Sequence, residues 1–318
     1  MASSPVGTAR QPLDKLERRS MVEIERDGSA LIETLIEEAL HRAEGEGSPP
    51  RLAAALRHAV LPGGARIRPR LAMSVAAAHG AHLDGTAWRG AAAGAAAIEM
   101  LHCASLVHDD LPCFDDADMR RGKPAVHRAF GERLAVLGGD ALIVMAFETA
   151  ALNCAPMPRR LVAITRVLAA SVGMPQGIAA GQAWECEPHA ELSAYQQAKT
   201  GALFAGATMV GALAAGGTDQ EGWALFGQRL GEAYQVADDI RDVAGDAEQL
   251  GKPVGQDDRL GRPNAALSFG LPRAVKRLTK LVEDAAADIP KCAGRTALQA
   301  LVAAETRKFL PQKIWELG

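Results

Sequence analysis

Residues 109–121 read Asp-Asp-Leu-Pro-Cys-Phe-Asp-Asp-Ala-Asp-Met-Arg-Arg, five carboxylates followed at once by two guanidinium groups. Carboxylates packed this closely repel one another unless a positive group joins them. A hard divalent cation is the natural partner. Mg²⁺ accepts one or two carboxylates, keeps several waters and completes its shell with phosphate oxygens. Arg120 and Arg121 fit the same chemistry, because a guanidinium grips phosphate with a two-pronged fork. One acidic cluster alone reads more simply as a solvated loop. A second cluster, Asp238-Asp239-Ile240-Arg241-Asp242, changes that balance. Asp238 and Asp242 stand at i and i+4 and share one helix face. Two such clusters, each ending an apolar helix, can face each other across a cavity and hold metal ions between them.

The wording around the clusters resembles the trans-polyprenyl diphosphate synthase family. Asp109–His127 matches its DDxxxxD form with RRGxPxxH after it. Asp238–Asp242 matches DDxxD, followed by Gly251-Lys252-Pro253-Val254-Gly255-Gln256-Asp257. Gly63-Gly64-Ala65-Arg66-Ile67-Arg68-Pro69, Gly181-Gln182 and Lys199-Thr200-Gly201 match further stretches in family order. The resemblance is strongest to bacterial geranylgeranyl diphosphate synthases of carotenoid pathways.

The resemblance implies an all-α bundle around a central cavity, a homodimer, and head-to-tail condensation of isopentenyl diphosphate with an allylic diphosphate. It implies about three Mg²⁺ ions. Asp109, Asp115 and Asp238 are then the expected ligands, supported by Asp110, Asp239 and Asp242. Arg120, Lys199 and Lys252 are expected on the allylic diphosphate. Arg68, His102 and Arg121 are expected on the isopentenyl diphosphate. Thr200 and Gln235 are expected to face the cation or a diphosphate. The chain departs from the family at Ala65, where a lysine that contacts isopentenyl diphosphate is usual; Arg66 is the candidate to compensate. Arg262 also replaces a usual lysine. Alternatives within the resemblance are a C15 product or a non-catalytic subunit of the same fold. A terpene cyclase, the other all-α Mg²⁺ class, fits less well, because its second metal motif normally mixes Asn, Ser and Glu.

The elements that carry these residues are helical in pattern. Residues 86–111 read as a long alanine-rich helix delivering the first aspartates, ended by Pro112. His102, Ser105 and Asp109 recur at i, i+3 and i+7 on one of its faces. Residues 112–124 read as a loop that bends Asp115 back toward Asp109. Further helices are expected over 31–40, closed by Gly45 and Gly47, over 51–60, 67–82, 132–152 and 159–172, from about 193, and over 221–246. Two or three more finish the chain. Residues 173–181 read as a glycine-containing break and 250–263 as a loop. No alternation supports a sheet. On the first aspartate helix, a position five residues before Asp109 lies about 7.5 Å down the axis. It holds Ala104, with Ser105 beside it, so a growing chain passes, and C20 is favoured over C15.

The bulk properties agree. The chain has 318 residues, 48% of them hydrophobic and only 4% aromatic, which favours a helical core. A net charge of −3 gives no case for nucleic acid. Five scattered cysteines with no CxxC pair point to a reducing cytoplasm. The apolar stretch Leu134–Leu152 contains Asp140 and Glu148, and no membrane span is expected. Residues 1–28 read as a polar, disordered tail with a second possible start at Met21, and 29–318 as a single catalytic domain.

Overall fold

The computed structural model describes residues 21–81, 85–188, 195, 197–244, 266–267 and 270–315, with residues 21–25 described by backbone alone. The helices are α1 (Met21–Ala43), α2 (Pro50–Val60), α3 (Ile67–Ala78), α4 (Thr86–Asp109), α5 (Val126–Phe130), α6 (Glu132–Cys154), α7 (Pro158–Val172) and α8 (Ile178–Ala183). A π-helical turn (Gln197–Gly201) follows and runs into α9 (Ala202–Ala215). Then come α10 (Gln220–Ala244), α11 (Leu271–Ala287), α12 (Arg295–Thr306) and the short α13 (Gln312–Trp315).

The bundle is built on α4. Its residues Gly90 to Met100 are buried without interruption, a helix apolar all round and therefore surrounded. α6 packs along one side, α3 and α9 along others, and α1 closes over it. Small side chains allow this closeness. A Cβ at Gly94 would collide with Val210 of α9, and one at Gly211 of α9 with the carbonyl of Ala72 on α3. α10 packs against α9 on its far side and against α11.

The all-α expectation holds, with corrections to its elements. α1 begins at Met21, not near residue 29. The 173–181 break contains the start of α8, so Gln182 sits on a helix. Lys199 and Thr200 lie on a π-helical turn, which the 3.6-residue period does not reveal. Residues 112–124 are not all loop. Met119–Arg120 (β1) pairs antiparallel with Lys123–Pro124 (β2) around Arg121-Gly122, whose φ values are 51° and 75°. A two-residue hairpin of type I′ needs positive φ at both central positions, and arginine is a poor signal for that.

The membrane expectation also needs revision on length and composition. α4, α6 and the span Gln197–Ala215 are each long and apolar enough to cross a bilayer. The most apolar windows of the first and third are 83% and 72% buried within the bundle, and that of α6 is 44% buried.

Candidate active site

α4 ends at Asp109, and the chain folds straight back on it. The Asp115 amide donates to the Asp109 carbonyl at 2.9 Å, and the Ala117 amide to the Asp110 carbonyl at 3.1 Å. This is the bend expected from Pro112, and it brings Asp115 to Asp109. Gln182 of α8 donates to Asp109 Oδ1 at 2.8 Å, and Lys199 Nζ lies 3.8 Å from the same oxygen. Lys199 also pairs closely with Glu185, which accepts from the Tyr195 hydroxyl at 2.6 Å. Burial raises the Asp109 carboxyl above its ordinary value; Asp115 and Glu185 add to the rise, and Lys199 and Arg120 oppose it.

Asp110 is placed differently from its neighbour. It is 2% exposed and accepts from Arg120 Nε at 3.0 and 3.2 Å, with a further short contact from the same guanidinium. It therefore anchors Arg120 beside Asp109 and supports the site through that arginine. Asp116 and Asp118 are tied to Arg128 at 3.0 and 2.8 Å.

The second cluster rides on α10. Asp239 and Asp242 are buried, and Asp238 is paired with Arg241 at 3.1 Å. Gln235 donates to Asp239 at 2.9 Å and accepts from the Thr200 hydroxyl at 2.8 Å. The expected pair Thr200 and Gln235 is thus brought together beneath the second cluster.

A cationic group lies about two turns up α4, around His102. Burial first, and then the charges of Arg68, Arg121, Arg120 and Arg66, hold the His102 imidazole well below its ordinary value. Arg68 is itself lowered by burial, and the like charge of Arg121 adds to that; its guanidinium lies over the Phe204 ring at 4.7 Å. Its Nε is buried with no hydrogen-bond partner among the described residues. Positive charge crowded in this way favours an anion.

Arg66 is a correction. Its guanidinium is turned inward, on Glu33 at 2.8 Å, Glu99 at 2.7 Å and the Val60 carbonyl at 3.2 Å. Burial works against its charge, but the two acids outweigh that and raise it above the usual arginine value. It is spent on the interior and does not replace a lysine at 65. Glu99 also faces Arg121 at 3.5 Å, so one buried acid steadies two of the arginines. Cys103, beside Glu99, has its thiol pushed up to about 12 by burial and that charge.

Ala104 is 1% exposed and packed in the core, while Ser105 remains partly open on the face shared with His102 and Asp109. Lys252, Asp257, Arg259 and Arg262 lie outside the described residues. Glu185 and Glu99 escaped the sequence reading. Glu185 stands three residues after Gln182, and that spacing on a helical turn was its signal. Glu99 had none, since an isolated acid inside an alanine-rich helix reads as a surface residue.

Among the described residues no three acidic, imidazole or thiol groups converge on one point. A cation that takes one or two carboxylates and fills its shell with water and phosphate still fits Asp109 with Asp115, and the raised Asp109 carboxyl fits the same reading.

Two aspartate-bearing helix ends and a buried cationic group within an all-α bundle are the equipment of an enzyme acting on diphosphate esters. The chain belongs to the polyprenyl synthetase family, which matches residues 49–300. It is 52% identical to a geranylgeranyl diphosphate synthase of Cereibacter sphaeroides, over 89% of this chain and 96% of that protein. It is 48% identical to one of Rhodobacter capsulatus, over 89% and 94%. Among solved structures, a geranyltransferase of Helicobacter pylori complexed with magnesium and isoprenyl diphosphate superposes with a TM-score of 0.74, at 29% identity over 88% of this chain and 98% of that one. An FPP/GFPP synthase of Zymomonas mobilis gives 0.73, at 28% identity over 90% and 99%.

Proposed function

We propose that this protein condenses isopentenyl diphosphate with allylic diphosphates and releases geranylgeranyl diphosphate. The observation that carries the reading is the separation of two diphosphate-suited sets on one helix. Asp109, Asp115 and Lys199 gather at its end, and Arg68, His102 and Arg121 gather about two turns earlier. Two charged substrates need two such sets. The close likeness to curated geranylgeranyl diphosphate synthases supports the C20 product.

In this reading Asp109, Asp115 and Asp238 hold Mg²⁺, with Asp110, Asp239 and Asp242 in support. When bound, the metal neutralises the diphosphate that leaves the allylic carbon. Lys199 and Arg120, with Lys252, hold that diphosphate and stabilise the charge it gains as the C–O bond breaks. Arg68, His102 and Arg121 hold isopentenyl diphosphate with its double bond toward the resulting cation. Thr200 and Gln235 are oriented by Asp239 and present polar atoms near the ionising centre. Asp110 orients Arg120, and Arg66 steadies Glu99 and through it Arg121.

The wider reading is a single catalytic domain over 29–318, cytoplasmic and homodimeric, with no integral membrane segment. All five cysteines are free thiols, which supports a reducing compartment. Val136, Leu137, Val144 and Leu152 are exposed on α6, which supports burial of that face against a second copy.

The test is product analysis. The purified protein is incubated with Mg²⁺, isopentenyl diphosphate and dimethylallyl, geranyl or farnesyl diphosphate in turn. A C20 product is expected. A product that stops at C15 removes the length assignment, and no condensation with any primer removes the activity.

A further inference from the structure

The turn before α3 carries alanine at 65, and the arginine beside it is spent on Glu33 and Glu99. A cavity of about 230 Å³ opens beside this turn, between α3, α10 and α12, and Ala65, Tyr234 and Arg241 all line it. Arg241 lies 5.3 Å from the Tyr234 ring centre, and Arg68 lies 6.0 Å from the same ring. Two guanidinium groups on different helices are therefore gathered by one aromatic side chain. The Nε atoms of both are buried and lack hydrogen-bond partners among the described residues. A buried donor without a partner costs stability unless a ligand satisfies it, and an oxyanion suits a guanidinium best. Arg70, also on the cavity wall, is held by Glu305 at 3.1 Å. Arg241 keeps one nitrogen on Asp238 and has its Nε still to be satisfied.

We propose that Arg241 supplies the cation that the turn lacks at position 65, and that with Arg68 it binds the diphosphate of isopentenyl diphosphate. The assignment rests on the reading of this chain as a prenyl diphosphate synthase. It gives α10 a second task. The helix that carries the second aspartate cluster also reaches the isopentenyl site through the residue just before Asp242. A positional exchange between a lysine on the turn and an arginine on the facing helix leaves the charge of the pocket unchanged.

The experiment compares Arg241→Met, Arg241→Lys and the double variant Ala65→Lys/Arg241→Met by steady-state kinetics, with calorimetric titration of isopentenyl diphosphate alone. Arg241→Met is expected to raise KM and Kd for isopentenyl diphosphate about tenfold to hundredfold, the loss of one charge-assisted bond. KM for farnesyl diphosphate is expected to stay within about twofold, and Arg241→Lys to fall in between. Ala65→Lys in the Arg241→Met background is expected to restore isopentenyl diphosphate binding. An arginine that only orients Asp238 would shift the Mg²⁺ dependence instead and gain nothing from Ala65→Lys; that pattern overturns the proposal. So does an unchanged Kd in Arg241→Met. A wild-type protein that binds isopentenyl diphosphate but condenses it with no primer overturns the synthase reading, and the Kd series then still decides the role of Arg241. Arg241→Lys keeps the charge and decides the question if Arg241→Met unfolds.

Discussion

Lys199 and Thr200 are consecutive residues whose side chains serve opposite aspartate clusters. Lys199 reaches Asp109 at 3.8 Å, whereas Thr200 donates to Gln235 at 2.8 Å, and Gln235 donates to Asp239. A regular α-helix separates neighbours by about 100° of rotation, and the π-helical turn sets this pair between the two clusters. The turn lies against α8 at Gly181, where a Cβ would come within 2.5 Å of the Lys199 amide nitrogen. That obstacle is backbone and cannot rotate aside. Gly181→Ala is therefore expected to push the turn off α8 and lower kcat on the order of 10²-fold, the scale of a misplaced catalytic group. Circular dichroism is expected to show the helical content retained. Normal turnover in this variant would mean that the spacing between Lys199 and Asp109 is not critical.

Asp109 predicts a pH dependence of metal binding. Its carboxyl is raised, first by burial, so part of its population still holds a proton above the ordinary aspartate range. A cation needs the ionised form, so binding releases protons, and Mg²⁺ affinity is expected to rise with pH up to the raised value and then level off. Titration calorimetry in buffers of different ionisation enthalpy measures the protons released. Asp109→Asn is expected to bind Mg²⁺ more weakly and to lose the pH-dependent part. An affinity that is flat with pH in the wild type would remove Asp109 from the ligand set.

His102 predicts a pH dependence of stability with the opposite cause. Its folded-state value lies well below the ordinary 6.5, through burial and four nearby arginines. The unfolded chain therefore takes up a proton that the folded one refuses. Stability is lost as pH falls below about 6.5, and the loss ends once the folded imidazole also protonates. His102→Gln removes this contribution, so its melting temperature is expected to gain on the wild type as pH falls from about 7.5 to about 5.5. Inorganic diphosphate, by answering the arginines, is expected to raise the His102 value in the wild type, visible as an NMR shift of the ring protons.

Much of this was legible because the motifs are local. Asp109 to Arg121 and Asp238 to Asp242 are each contiguous, and a helix period with one proline positions them. The partners that tune them are not contiguous. Glu99 meets Arg66 across 33 residues, and Arg66 adopts a left-handed φ of 50° to do so. Nothing in a one-dimensional pattern marks that inward turn, and so Arg66 read as a substrate cation. Glu185 was hidden for the same reason, since its importance comes from Lys199 and Tyr195 folding back to it. Asp110 and Asp109 are identical neighbours in sequence. Only the position of Arg120 separates a metal-facing carboxylate from an anchoring one.

Glu99 is the acid that makes the arginine group affordable. It is 2% exposed and is the nearest acid to both Arg66, at 2.7 Å, and Arg121, at 3.5 Å. Glu99→Gln keeps the shape and removes the charge, leaving the buried Arg66 and the half-buried Arg121 undercompensated. A loss of about 3–5 kcal/mol is expected, the cost of breaking a buried pair from one side. Glu99→Gln combined with Arg66→Met is expected to recover part of it in denaturant unfolding. If the double variant is as unstable as the sum of the two single ones, the two side chains are not coupled.

The chain-length stop divides two adjacent positions. Ala104 is packed in the core at 1% exposure, while Ser105 stays partly open on the face that also presents His102 and Asp109. A prenyl chain extending from Asp109 along α4 meets the open position. Ser105→Phe is therefore expected to shift the product from C20 to C15 while the melting temperature stays near that of the wild type. Ala104→Tyr forces a large ring into a filled interior and is expected to cost about 1–3 kcal/mol. Mass spectrometry of the products, run beside thermal unfolding of the same samples, separates the two effects. If Ser105→Phe still releases C20, the chain does not run along this face of α4, and the stop lies on another helix.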